Sequence, residues 1–198
     1  MSKIAKKKRE KYSALIESAR ELFHSKGVQN TTIADIVKGA GVAKGTFYLY
    51  FSDKYDLFDK VVLHQTISSL KNMIDKIDYK KVEDLESLML IYTDEMLNYT
   101  QIHQKTSKLI ARNMSWKLFE KVYDDAEKIE EFIDFFEHMN KLAMLKYNDL
   151  ERFKKDLFII LETIDSVIYS TIITGYKEEF EALKPALKEM VCRMLNII

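Results

Sequence analysis

The sequence predicts an all-α protein, and three observations carry that expectation. Helix breakers are scarce: of five glycines in 198 residues, four (Gly27, Gly39, Gly41, Gly45) lie close together near the N-terminus, the fifth is Gly175, and Pro185 is the sole proline. No Asn-Gly or Asp-Gly pair, the usual mark of a tight β-hairpin, occurs anywhere. Apolar residues recur at steps of three and four over most of the chain, the period of an amphipathic helix. Hydrophobic residues at 47% and charged residues at 31% suffice for a packed core under a charged surface, which excludes global disorder. An uninterrupted apolar stretch such as Leu157 to Leu161 is far short of the ~20 residues of a spanning helix. The Lys-rich start has no apolar segment behind it, so neither a membrane span nor secretion is expected. Cys192, the lone cysteine, cannot form an internal disulfide, and a cytoplasmic location is expected.

Tyr12, Leu15, Ile16, Ala19, Leu22 and Phe23 make the first helical stripe, and Gly27 stands where helices commonly end on a left-handed residue. Thr31-Thr32 opens a second helix, because Thr32 with Asp35 has the pattern of a capping box. Ile33, Ile36 and Val37 supply its inner face, and Gly39-Ala40-Gly41 stops it. A third short helix is expected over about Ala43 to Phe51, with Phe47 and Phe51 as its core pair. Ser52 is expected to cap a long fourth helix, about Asp53 to Ile77, with Asp53 and Asp56 in its first turn, where the helix dipole favours negative charge.

Further on, Leu85, Leu88, Tyr92, Met96 and Tyr99 form one stripe, and Phe119, Val122, Tyr123, Ala126, Ile129, Ile133 and Phe136 form another. Leu157 to Ile173 is apolar almost all round, which a helix tolerates when it is covered on both sides. The last helix carries Leu183, Leu187, Met190, Val191, Met194 and Ile198, with Pro185 expected near its first turn. These last two helices, about residues 152–175 and 180–197, are expected to form the seam of a dimer. Ile168 is taken as one of its apolar positions.

Charge divides the chain as sharply. Residues 1 to 54 hold 11 basic and 5 acidic side chains, leaving 20 and 26 for the rest, so a neutral total conceals +6 at the head and −6 in the body. A basic head on an acidic body is the footprint of a nucleic-acid-binding module joined to something that does not bind nucleic acid. Much of the excess comes from Lys3, Lys6, Lys7, Lys8, Arg9 and Lys11, which also read as a solvated terminus.

Two short helices joined by a glycine-containing turn, the second starting with small and basic residues, are what a helix-turn-helix reader of DNA needs. The second helix enters the major groove N-terminus first, so its leading residues must allow close approach and donate hydrogen bonds. Ala43-Lys44-Gly45-Thr46 meets both demands. Gly45 costs ~1 kcal/mol of helix propensity relative to Ala, a cost explained if the backbone must approach a partner. Phe47 and Phe51 bury, leaving Lys44, Thr46 and Tyr48 outward. Tyr50 is open between an outward role and a half-buried place in the core.

The run from Thr31 to Lys54, through Gly39, Gly41, Gly45, Phe47, Tyr48, Tyr50 and Phe51 and ending in Leu57, closely resembles the DNA-binding signature of the TetR family of transcriptional regulators. The resemblance covers roughly residues 8 to 60; the remainder agrees in length and helical character. It implies an N-terminal three-helix DNA-binding domain (residues 1–54) followed by an antiparallel helical bundle (55–198) for effector binding and dimerisation. It further implies a homodimeric repressor released from operator DNA by a small molecule. Carried over position by position, it makes Lys44, Gly45 and Thr46 candidates for base contact, and Thr32, Tyr48, Tyr50 and Lys54 candidates for phosphate contact. Ala43 departs from the hydroxyl residue that often caps the reading helix, and Tyr55 from a frequent Glu that would close a capping box with Ser52.

Rival readings are an interaction protein without a small-molecule ligand and, more distantly, a helical enzyme. Neither metal nor other cofactor is expected: Glu21 to His24 alone has the spacing of a helical metal pair, His64, His103 and His138 are scattered, and no phosphate loop or nucleophile elbow occurs. An effector pocket is expected among Tyr92, Met96, Tyr99, Trp116, Phe119 and Tyr123, residues that serve as ordinary core if there is no ligand. Glu162 and Asp165, set within an apolar helix, need partners because an unpaired buried carboxylate is costly. They could meet a cationic ligand in the pocket or polar groups across the dimer seam, and the seam is the preferred expectation.

Overall fold

A computed structural model describes residues 3 to 196, with the side chains of 172, 173, 177 and 178 left aside. Ile198 of the expected last stripe lies outside the described residues. Ten α-helices and no strand occur among them: α1 Lys3–Lys26, α2 Ile33–Gly39, α3 Lys44–Tyr48, α4 Lys54–Ile74, α5 Leu85–Ile102, α6 Gln104–Ala111, α7 Trp116–Ala126, α8 Ile133–Met144, α9 Leu150–Ile168 and α10 Lys177–Asn196. A 3₁₀ turn, Tyr79–Lys81, follows α4, and a π-helical turn, Tyr169–Ile173, extends α9. Two compact units divide between Gln65 and Thr66, inside α4, rather than at its start. Leu57, Val61 and Val62, on the first turns of α4, are fully buried, and Phe58 meets the Phe23 ring of α1 edge-on. Those turns therefore belong to the head.

In the head, α1 is longer than its apolar stripe, because the basic run is helical and exposed from Lys3. Gly27 closes it with a positive φ of 78° and an amide that donates to the Phe23 carbonyl. The α2 cap has the geometry the sequence asks for. Asp35 N donates to Thr32 Oγ1 at 3.1 Å and Thr32 N to Asp35 Oδ2 at 3.0 Å. The Lys26 ammonium and these Thr32 donors hold the Asp35 carboxyl well below the usual range. Gly39 has a packing reason for lacking a side chain, since a Cβ there would collide with Ser18 Oγ, which donates to the Ile36 carbonyl. At α4 the cap is Asp53, not Ser52: Asp53 Oδ1 accepts from Tyr55 N and Asp56 N, while Asp56 Oδ2 reaches back to Ser52 N. The Asp53 side chain, one residue closer to the first turn and with two acceptor oxygens, reaches the unpaired amides better than the Ser52 hydroxyl does.

In the body, three expectations change. The stripe from Phe119 to Phe136 is two helices: the chain turns between Ala126 and Ile133, and Asn140 bridges the turn by accepting from the Tyr123 hydroxyl and donating to Glu127 Oε1. Periodicity alone does not register such a turn when no glycine or proline marks it. Pro185 lies inside α10 rather than in its first turn. It sits on an exposed face, where water can satisfy the carbonyl that loses its amide partner. Ile168 is fully buried in the chain's own core and is not a seam position. Helices α5, α8, α9 and α10 pack on one hydrophobic core, which includes Leu88, Phe153, Ile164 and Phe180. Lys184 and Lys188 of α10 clamp Asp94 of α5 at its edge.

Candidate functional site

Two places carry candidate chemistry, one in each compact unit. In the head, α2 and α3 are joined by a turn through Gly41, whose φ of 64° is the left-handed region that suits glycine. Phe47 is fully buried against Phe51, which fixes the roll of α3. That roll leaves Lys44 and Gly45 exposed, Thr46 half-buried, and Tyr48 53% exposed although it is a large aromatic. Nothing lies within 4 Å of where a Cβ on Gly45 would stand, and its φ is not positive. The chain's own packing therefore gives no reason for glycine here. Ala43 precedes α3 without a side-chain cap, so no side chain of its own takes up the first amides of α3.

Around this tip, Thr32 is exposed at the start of α2, and Lys54 reaches the Gln29 carbonyl at 3.3 Å with donors to spare. Tyr50 is placed differently. Its hydroxyl donates to the Lys8 carbonyl at 3.0 Å and its ring meets Tyr12 edge-on, so its proton is committed to holding α1. The half-buried alternative is the one that this geometry fits.

The body holds a cavity of about 130 Å³ with an open mouth. Of the six residues expected to form a pocket, Tyr92, Met96, Tyr99, Phe119 and Tyr123 line it, on α5 and α7. Trp116 does not; it stands behind the wall, 5.5 Å from the Phe119 ring and 5.3 Å from the Phe158 ring. From Thr66 onward α4 contributes Ser69, Leu70 and Met73, and α8 contributes Phe135, Phe136 and Met139. The wall is apolar with few polar groups, among them Ser69, which donates to the Tyr99 hydroxyl at 2.9 Å.

Glu162 and Asp165 of α9 also line the cavity, so the preference for the seam is corrected: both face the chain's own interior. Glu162 Oε1 is buried with no hydrogen-bond partner. Burial raises the Glu162 carboxyl, and burial together with the neighbouring Glu162 charge pushes Asp165 up to about 7. Tyr92 is raised by burial and by Asp165, which keeps it a neutral phenol. Among the described residues no group of three or more His, Cys, Asp and Glu side chains is placed to hold a metal ion. None of their helices is long and apolar enough to cross a membrane.

Comparison with known proteins bears on the head first. Residues 15–61 match the family model described as bacterial regulatory proteins, tetR family. An HTH-type transcriptional regulator of Bacillus subtilis, YvdT, is 35% identical over 97 residues, 48% of this chain and 47% of that protein. The head thus matches the DNA-binding part of the TetR family. The chain spans about half the length of YvdT, but 96% of the B. subtilis fatty acid metabolism regulator protein, to which it is 24% identical over 94% of its own length. The solved structure of B. subtilis FadR in complex with stearoyl-CoA shares the fold, with a TM-score of 0.58 at 19% identity over 91% of this chain and 97% of that one.

The α3 tip is legible in the sequence because it is a contiguous run. Sequence reasoning missed the share of α4, α8 and α9 in the cavity. Glu162 and Asp165 did give a signal, two carboxylates in an apolar helix, but nothing in the sequence says which side of that helix is occupied.

Proposed function

We propose that the chain is a homodimeric, cytoplasmic transcriptional repressor that binds a pseudo-palindromic operator and is released by a small molecule held in the body cavity. The observation that carries this reading is the pairing in one chain of an exposed α3 tip, open to close approach, with an apolar cavity. DNA binding belongs to the head, which takes in the first turns of α4 as far as Gln65, and effector binding and dimerisation to the body. Each head offers one reading helix, so a two-fold dimer meets half-sites about one helical turn, ~34 Å, apart or a near multiple of it. Lys44, Gly45 and Thr46 face base edges, and Thr32, Tyr48 and Lys54 face phosphates; Tyr50 supports them by tethering α1. The dimer forms through α9 and α10, whose outward faces carry the exposed apolar side chains Ile159, Leu183 and Met190.

Helix α4 begins in the head and lines the cavity from Thr66, so it is the element through which an occupant acts on the head. Moving the balance from 1:99 to 99:1 needs ~5.5 kcal/mol of differential affinity for the released state. The apolar wall with a few convergent polar groups has the make-up of a ligand site, which favours this reading over an interaction protein without a ligand. The match of the head to a family of regulatory proteins argues against an enzyme. The test is enrichment of random duplex DNA on the full chain, followed by footprinting and a stoichiometry measurement. A pseudo-palindrome bound by a two-fold assembly is expected; failure to enrich any sequence, or retention of single half-sites by monomers, sinks the reading.

A further inference from the structure

We infer that the cavity is built for a lipophilic monocation, held with its charge at Glu162 and Asp165 and its apolar body against the aromatic wall. This deepens, and rests on, the reading of the cavity as the effector site. Two carboxylates stand on one face of α9, and both reach the same enclosed space. Among the described residues no Lys, Arg or His lines it. The nearby cations are engaged elsewhere: the Arg112 guanidinium lies 4.4 Å from the Tyr169 ring centroid, Lys154 lies over the Tyr123 ring at 4.7 Å and beside Asp124 and Glu151, and the His103 ring rests on Tyr99. Glu162 Oε1 is removed from solvent without a hydrogen-bond partner, which leaves acceptor capacity that the chain itself does not use.

A buried carboxylate pair with no counter-charge disfavours its own ionised form, and a bound cation supplies the missing partner. The rest of the wall suits the body of such a molecule. Tyr92, Phe119, Phe136 and Phe158 offer ring faces, which attract cations as well as apolar surface, and Met73, Met96 and Met139 offer soft, adaptable contacts. An anionic headgroup would meet two acids and no base here, so only the apolar part of an acyl thioester suits this wall.

The experiment is titration calorimetry of the full-length protein with two probes of similar size and opposite character, methyltriphenylphosphonium and the neutral hydrogen-bond acceptor triphenylphosphine oxide. Stearoyl-CoA serves as a third, anionic probe. The wild-type protein is expected to bind the cation at least tenfold more tightly than the oxide, and in the Glu162→Gln/Asp165→Asn double variant that preference should fall to about one. Retained binding of the oxide by the double variant shows that its cavity is intact. Equal binding of both probes, preference for the oxide, a cation preference that survives in the double variant, or binding of stearoyl-CoA alone would each overturn the inference. Binding of stearoyl-CoA with release of the selected operator would leave the effector reading standing while removing the cation. Acid-dependent binding of methyltriphenylphosphonium without any loss of operator affinity would do the reverse.

Discussion

The head and the body handle the same problem, placing polar groups usefully, in opposite ways. The head puts them on an outer surface: Lys44, Thr46 and Tyr48 project from a five-residue helix whose only fully buried side chain is Phe47. The body puts them inside, two carboxylates in an apolar chamber walled by helices that are far apart in the chain. A surface site needs few residues and tolerates water, so its worth lies in donors aimed at a partner. An enclosed site needs a whole core to define it, and there the same carboxylate charge becomes costly. Substitutions in the head should therefore change recognition while sparing the fold, and substitutions in the body should change the fold or its pH dependence first.

The largest expected effect breaks the body outright. Ile168→Glu places a charge at a fully buried position and should cost about 4 to 5 kcal/mol or more, seen as loss of the cooperative thermal transition. Met190→Glu, at a site 47% exposed, should keep the fold and yield monomers in sedimentation. If Ile168→Glu gives a folded monomer, the distinction between core and seam fails.

Next in size is the pH dependence of Asp165. In the unfolded chain an Asp releases its proton near the ordinary pKa of ~3.9; in the folded chain Asp165 holds its own to about 7. Stability therefore falls as pH rises between these values and is level above them. Asp165→Asn removes that fall, so the ligand-free variant should match the wild type near pH 4 and exceed it by about 2 kcal/mol at pH 8, after discounting the partial solvent access of the group. Melting temperatures across that range decide it, and equal slopes for both proteins would show that the carboxylate is not isolated from water.

In the head, Lys44→Ala and Thr46→Ala should each cost ~1 to 3 kcal/mol of discrimination between operator and mismatched DNA. Lys54→Ala should weaken binding to all sequences and lower the salt slope by about one. Identical behaviour of the two sets in competition binding would reverse the orientation assigned to α3. The smallest effect is also the sharpest contrast: Gly45→Ala meets nothing within 4 Å and should stabilise the protein by up to ~1 kcal/mol while weakening operator binding. A variant that binds DNA as well as the wild type would remove the reason proposed for that glycine.

The sequence by itself determined what is local. Thr32 and Asp35 are three residues apart, and that spacing alone closes the α2 cap; Gly27 and Gly41 end and turn the chain because their backbone angles suit no other residue as well. The roll of α3 follows from the spacing of Phe47 and Phe51. Tertiary structure decided what depends on distant partners. Tyr50 turned inward because its hydroxyl donates a hydrogen bond to the Lys8 carbonyl, 42 residues away. Trp116 fell behind the cavity wall because Phe158 of α9 stands in front of its helix, and the apolar stripe from Phe119 to Phe136 broke where Asn140 could bridge the turn. Glu162 and Asp165 faced inward rather than toward a second copy because α9, apolar on nearly every side, can be sorted into an inner and an outer face only by the helices that pack on it.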